Sequence, residues 1–486
     1  MRRIVFPLLI LLSGCMIGPK YVVPTTQVPE DWKGPSNEAV ASANLENWWE
    51  LFDDEILTDL QAKVLEHNPT LYSALQRVSE ARAISGIAWS TLFPQVNLDP
   101  SYSNTNELIK LYGLPSSLPE IPLIQRVHEM SYALPLNMSY EVDLWGRFRG
   151  TYKTAKLAVE AEEAAMRGSL LTLTTELASN YFNVRTLDMQ LELLEKILDV
   201  YKALLDLRQS RYIAGLDSYL DVGQAEEALA NAEADYQDSV RQRNIFENAI
   251  ATLIAVPASE FHIVRNPLRD PPPCVPADLP SSILARRPDI VKAERVMAAE
   301  NAAIGVAYTS LLPQVQLTTV LGFLSPVLRD FLNWKGRYLD WGTNIRQFIF
   351  DAGRRVSEID AVIAAYKAQE GIYRNTILTA FQEVEDALTS IEQQMKQSEQ
   401  LMISYTASEE VEELSRLRFD RGLVNLLEVY NYEETKLTTA RNLMNVIGLR
   451  YQSAVQLIKA LGGGWEGSLD PSSEEEGSPC ESNDCN

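Results

Sequence analysis

Between Ser169 and Arg208 the apolar side chains fall at Leu170, Leu173, Leu177, Tyr181, Val184, Leu187, Leu191, Leu194, Leu198, Tyr201 and Leu205, which is ten steps over 35 residues. A mean step of 3.5 is the period of helices wound around one another, whereas a free helix repeats at 3.6. Residues 354–415 repeat the pattern with Ile377, Phe381, Val384, Leu388, Ile391 and Met395. No proline interrupts residues 147–208, so the pattern predicts one helix about 90 Å long at ~1.5 Å per residue. Coils of that length outgrow an ordinary domain core and predict a tube or a rod.

A second pattern has period two. In Ser131–Asp143 the residues Tyr132, Leu134, Leu136, Met138, Tyr140 and Val142 face one way, and Ala133, Pro135, Asn137, Ser139, Glu141 and Asp143 the other. After Pro94 the alternation sets Val96, Leu98 and Tyr102 against Gln95, Asn97, Asp99 and Ser101. Two further strands are predicted at Gln314–Leu321 and, with a weaker pattern, at Tyr338–Phe350. The stretch Asn104–Met130 lacks this alternation and is expected to be a long loop. Apolar-out, polar-in strands of about ten residues fit an outer-membrane barrel, although a half-buried sheet of a soluble domain has the same period. Trp145, Trp334, Tyr338 and Trp341 are expected near strand ends, as an interfacial aromatic girdle would require.

The chain is a tandem duplication. ARAISGIAWSTLFPQVNL (Ala81–Leu98) returns 219 residues later as ENAAIGVAYTSLLPQVQL (Glu300–Leu317). VDLWGR (Val142–Arg147) is echoed by FDAGR (Phe350–Arg354), and RYIAGLDSYLDV (Arg211–Val222) by RFDRGLVNLLEV (Arg418–Val429), the last at an offset of 207. Each half therefore reads helix, strand, loop, strand, very long helix, turn, long helix. The turns centre on Gly215 and Gly422, which can take positive φ and end a helix, and Asp217, Ser218 and Asn425 offer caps for the helix that follows. The expected organisation is a signal segment 1–14, an N-terminal segment 15–68, a first repeat 69–261, a proline-rich linker 262–287, a second repeat 288–465 and an acidic tail 466–486 that reads as disordered.

The first residues change the setting of these elements. MRRIVFPLLILLSGC carries a short positive start, an apolar run and small residues leading to Cys15, the layout of an export signal that resembles a bacterial lipobox. Cys15 is then expected to be the acylated first residue, held to lipid by chains contributing about 0.8 kcal/mol per buried methylene. After Leu12 no apolar run approaches the ~18–20 residues of a spanning helix, so any crossing must use strands. Four strands cannot close and open edges are not tolerated in lipid, so the barrel must be shared: at least two chains, with three supplying twelve strands.

The formal charge of -23 argues against nucleic acid or anionic lipid as a main partner. The three histidines, His67, His128 and His262, show no metal-ligand spacing, and no phosphate-binding loop or nucleophile elbow occurs. No cofactor, metal site or catalysis is expected. Cys274 lies in the linker, and Cys480 and Cys485 in the tail could pair in an oxidising compartment.

The duplicated halves, the LFPQV and LLPQV strand starts, VDLWGR and FDAGR, the glycine-centred tips and the run Lys459–Trp465 together resemble the TolC-type outer membrane efflux family, and the lipobox followed by GPKYVVP (Gly18–Pro24) is similar to its lipoprotein branch. The resemblance implies an α+β membrane protein. It implies a homotrimer with a shared 12-stranded barrel, and coiled-coil helices that form a periplasmic tunnel. A periplasmic adaptor and an inner-membrane RND-type pump are its implied partners, with outer membrane lipid around the barrel. By the same resemblance, Leu427, Glu428, Asn431 and Glu434 are candidates for the closed aperture, and Arg211, Tyr212, Gly215, Ser218 and Tyr219 for adaptor contact. Where the family pattern has an aspartate and then a basic residue, this sequence has Asn431 and Glu434, so a tip salt bridge is not carried over. Two other readings stay open: a duct for type I protein secretion, and an anchored coiled-coil scaffold without a pore.

Overall fold

The computed structural model describes residues 16–26, 28–29, 31–33, 45–111, 123–268, 271–273, 275 and 286–463, with the side chains of 45–46, 108–111 and 123–125 excepted. Cys15, Cys274, Cys480, Cys485, the segment 1–14 and the tail 466–486 lie outside the described residues. In the first half a 3-10 segment at Leu45–Phe52 leads into α1 (Glu55–His67), α2 (Pro69–Ser90), β1 (Gln95–Leu98), β2 (Ser101–Leu111), β3 (Leu123–Val142), α3 (Arg147–Ile213) and α4 (Tyr219–Leu253). The second half repeats the order as α5 (Pro288–Thr309), β4 (Gln314–Ser325), β5 (Arg337–Arg346), α6 (Arg354–Asp420) and α7 (Leu426–Ala460). The very long helices α3 and α6 have 67 residues each, and α4 and α7 have 35 each.

The chain divides into two compact units, and each takes segments from both halves. The first unit comprises residues 1–23, 80–159 and 295–370 and carries the sheet. Its antiparallel order is β1 and β2 on one side of β3, then β4, then β5. β1 and β2 are two stretches of one edge strand, interrupted at Asp99-Pro100 and joined across the gap by Asp99 N–H to the Pro135 carbonyl at 3.2 Å. The four predicted strands are therefore present, but the expected loop Asn104–Met130 is not a loop over its described length. Asn104 pairs with Met130 and the ladder continues to Leu111 opposite Leu123. Backbone pairing does not need an apolar face, and polar pairs such as Asn106 and His128, 2.5 Å apart, extend the ribbon where the alternation ends.

In this unit the chain after Met16 is seated on glycines. Ile17 N–H donates to the Trp145 carbonyl at 3.3 Å, and the Asn301 amide donates to the Pro19 carbonyl at 3.1 Å. A Cβ on Gly305 would lie 2.5 Å from the Ile17 carbonyl oxygen, and one on Gly146 2.8 Å from Met16 Cγ. Only hydrogen side chains allow that approach.

The second unit, residues 24–79, 160–294 and 371–486, holds the main core. Trp48, Trp49, Leu57, Leu60 and Val64 pack onto Leu173, Leu177, Tyr181, Phe182, Val184, Ile250, Val455 and Ile458. The predicted seam of α3 is thus its buried face. Tyr181 is fully buried and donates to Asp54 at 2.5 Å. Burial, reinforced by that bond, pushes the phenol above its usual range. The helices α3 and α7 touch at Gly448, where a Cβ would fall 2.5 Å from the Thr186 methyl.

A charged cluster lies beside this core. Asp188 accepts from Arg243 Nε at 2.7 Å, from Arg185 Nη1 at 3.3 Å and from Asn266 N–H at 3.1 Å. Arg243 also donates to Glu247 at 2.9 Å and to the Ile263 carbonyl at 2.7 Å, while Arg185 donates to the Val264 carbonyl at 2.7 Å and lies over the Tyr181 ring at 4.8 Å. The cluster pins the start of the linker to α3 and α4.

Candidate functional site: an amphipathic sheet and two helical tips

The sheet register sorts the side chains by face, because residues paired across antiparallel strands point the same way. Val96, Leu98, Leu134, Leu136, Met138, Tyr140 and Val142 share a face with Val315, Leu317, Leu321, Phe323, Leu339, Trp341 and Ile345. The other face carries Gln95, Asn97, Asn137, Ser139, Glu141, Gln316, Thr318, Asp340 and Asn344. The apolar face is left to the surroundings: Trp341 is 80% exposed and Ile345 66%. From Tyr132 to Val142 it rises about 34 Å at ~3.4 Å per residue, or about 26 Å at a tilt of ~40°, close to the ~25 Å apolar band of outer-membrane barrels. Among the described residues no helix is long and apolar enough to cross a membrane.

The expected girdle is only partly realised. Trp334 lies in the β4–β5 loop. Trp145, just past β3, donates its indole N–H to the Pro313 carbonyl at 2.8 Å. Trp341 instead faces outward in mid-strand opposite Thr319, and Tyr338, opposite Gly322, falls on the polar face. Tyr338 and Trp341 stand three residues apart on one strand, so they point to opposite faces.

The two helical turns are built alike. Gly215 has φ +74° and Gly422 φ +70°. The Leu216 and Leu423 amides reach back to the Arg211 and Arg418 carbonyls, each at 2.9 Å, which closes the end of α3 and of α6. In the second tip Asn425 caps α7, its Oδ1 accepting from Glu428 N–H at 2.9 Å. In the first, Ser218 N–H and Oγ donate to Asp221 at 3.0 and 2.8 Å.

Beyond the backbone the tips diverge. Asp217 does not cap α4; it accepts from Arg211 Nε at 2.9 Å and Arg208 Nη1 at 3.1 Å. The Arg211 bond, aided by Arg208, holds its carboxyl below the usual aspartate range despite the loss of hydration. Tyr212 and Tyr219 meet edge to face with centroids 5.9 Å apart, and Ile213, Leu216 and Leu220 are exposed beside them. Those three extend the predicted contact residues Arg211, Tyr212, Gly215, Ser218 and Tyr219 into one apolar patch. Apolar residues inside a turn, where polar ones are usual, were the signal for them.

In the second tip Leu427 and Glu428 are half-buried in the first turn of α7, and Asn431 is exposed one turn further on. Arg418 stands 3.6 Å from Glu428. Glu434 accepts from Tyr201 of α3 at 2.8 Å. Burial, with that bond, pushes the Tyr201 phenol up to about 12. A second lock lies alongside. Glu412 pairs with Arg416 and, at 3.1 Å, with Lys436. Burial opposes its ionisation, but these two cations prevail and hold it below the usual glutamate range. Tyr201 and Lys436 were missed by the sequence because both read as ordinary helix positions.

Among the described residues no group of three or more His, Cys, Asp or Glu side chains could hold a metal ion. His67 is exposed at the end of α1, His128 bonds Asn106, and His262 stands 2.8 Å from Glu247. The geometry offers a wall, a face for lipid and two bonded tips.

Known proteins similar to this chain are named as outer membrane proteins and an outer membrane channel. The chain is 29% identical to the pyoverdine export outer membrane protein OpmQ of Pseudomonas aeruginosa, over 94% of this chain and 95% of that one. It is 30% identical to the solvent efflux pump outer membrane protein SrpC of Pseudomonas putida, over 94% and 97%. Its fold matches the crystal structure of the Campylobacter jejuni CmeC outer membrane channel with a TM-score of 0.82 at 25% identity, covering 94% of this chain and 96% of that one. The profile of the family described as "Outer membrane efflux protein" matches residues 60–256 and 279–463, so the chain belongs to the outer membrane efflux protein family.

Proposed function

We propose that three copies of this chain close their sheets into one twelve-stranded barrel, and that their long helices enclose the periplasmic part of a passive duct through which a tripartite pump discharges small molecules. One observation carries the reading: the sheet is apolar on a single face, and among the described residues its two edges, β1–β2 and β5, have no strand partner. In lipid such edges must be paired, and four strands are too few to pair with themselves. The polar face then lines water. Relatives named for pyoverdine export and solvent efflux support small cargoes of unlike chemistry, which a polar-lined duct passes without selecting. Energy and selection belong to an inner-membrane pump of RND type, joined through an adaptor.

In this reading Cys15 carries the lipid. Leu427, Glu428 and Asn431 narrow the second tip, and Glu434 holds α7 against α3 through Tyr201. The Tyr212–Tyr219 patch of the first tip receives the adaptor. The test is purification from outer membranes with native mass and planar-bilayer conductance measured on one sample. A three-chain mass that conducts is expected, and a non-conducting monomer overturns the reading. Leu427→Ser should raise single-channel conductance; an unchanged value removes Leu427 from the constriction.

A further inference from the structure

The loop joining β4 to β5 reverses the charge of the chain. The protein carries -23, yet Pro326–Arg337 holds three cations, Arg329, Lys335 and Arg337, against one carboxylate, Asp330. Among the described residues none of the three cations forms an ion pair; Arg337 donates instead to the Trp334 carbonyl at 2.8 Å and lies over the indole at 4.7 Å. The same loop exposes Val327, Leu328, Leu332 and Trp334, the last 69% exposed. Phe331 folds back to meet the Tyr132 ring, centroids 6.4 Å apart. Arg337 pairs with Phe323, which pairs with Leu134, so its side chain belongs to the apolar face at that face's far rim from α3 and α6.

We propose that this loop binds the phosphate-bearing headgroup of an anionic lipid in the outer leaflet. The proposal rests on the barrel reading, which puts this end of the sheet at the outer surface. Apolar side chains and an indole at the rim of a lipid-facing wall enter the interface. Arginine and lysine there extend their charges to the headgroup layer while their stems stay in the apolar band. A guanidinium already stacked on an indole is pre-set for a phosphate, which it can engage through two parallel N–H donors. A carboxylate-rich protein partner would also suit the charge. The continuity of the cations with the lipid-facing row, through Arg337 and Phe323, favours lipid.

The test uses the full-length protein in a neutral detergent. Native mass spectrometry counts retained lipid after titration with a bis-phosphorylated glycolipid, with phosphatidylcholine and with inorganic phosphate, and conductance is recorded on the same preparations. The glycolipid should be retained at least tenfold more strongly than phosphatidylcholine, and inorganic phosphate should not displace it. The triple variant Arg329→Gln, Lys335→Gln, Arg337→Gln should lose at least tenfold of that preference and still conduct, whereas Lys292→Gln on α5 should lose none. Arg337→Lys, which keeps the charge and loses the stack, should fall between, and it serves should the triple variant not assemble. Equal retention of both lipids, or a triple variant that binds as the parent does, overturns the proposal while leaving the duct intact. Loss of conductance in the parent protein would instead strike the barrel reading.

Discussion

Asp188, itself closed to solvent, accepts from Arg185, Arg243 and the Asn266 amide, and removing it would leave the Arg185 guanidinium buried without an anion and Arg243 with Glu247 alone. Breaking a buried pair from one side costs about 3–5 kcal/mol. Asp188→Ala should therefore lower the thermal midpoint strongly, and Asp188→Asn less, as read by calorimetry. This cluster was not legible beforehand. Its members stand 58 residues apart, from Arg185 to Arg243, and neither spacing nor pattern distinguishes them from the solvated charges of a long helix. Asp217 makes a separate prediction about acid. Its carboxyl is held below the usual aspartate range by Arg211 and Arg208, so its contribution is complete above the unfolded aspartate pKa of about 3.9 and is lost as pH falls through the lower folded value. Amide exchange at Leu216 should stay slow through mildly acid pH and quicken only below that range. Asp217→Asn should exchange faster at neutral pH and show no acid step there.

At the level of the element, the sheet makes the sharper claim. Leu321 lies between Leu136 and Leu339 on the apolar face, and Thr318 lies between Ser139 and Gly342 on the polar one. A midplane arginine on a lipid-facing wall costs about 2–4 kcal/mol. Leu321→Arg should cut the yield of assembled protein in outer membranes, while Thr318→Arg should assemble and shift ion selectivity toward anions. Equal yields would mean that the faces are misassigned. The strands of the membrane band were legible because lipid on one side and water on the other enforce strict alternation, as in Tyr132–Val142. Beyond Tyr102 and Tyr132 the β2–β3 ribbon is held by backbone pairing, which leaves no alternation in the sequence to read. The turns at Gly215 and Gly422 were legible because few residues can end a helix with positive φ. The Tyr201–Glu434 bond was not, since it joins helices of different halves.

For the molecule as a whole, a barrel of three chains would already hold the protein in its bilayer, so the lipid proposed on Cys15 would be an accessory tether. Met16–Pro19 supports that division of labour, being clasped by Gly146 and Gly305 independently of any acyl chain. Cys15→Ser should reduce delivery to the outer membrane, measured by fractionation, and leave unit conductance unchanged. The duplication fixed more than the order of elements. The halves have drifted until few residues match, yet α3 and α6 both keep 67 residues and α4 and α7 both keep 35. From Pro94 onward, the extra residues of the first half all fall in its hairpin, before α3 begins. Hairpin length is thus free to vary and helix length is not. Seven residues deleted from α6 and α7 alone would draw one tip back by about 10 Å while its twin stayed in place. In the duct reading the four long helices would serve as matched legs of a trestle, to be lengthened or shortened for a wider or narrower span only if all are cut to the same measure.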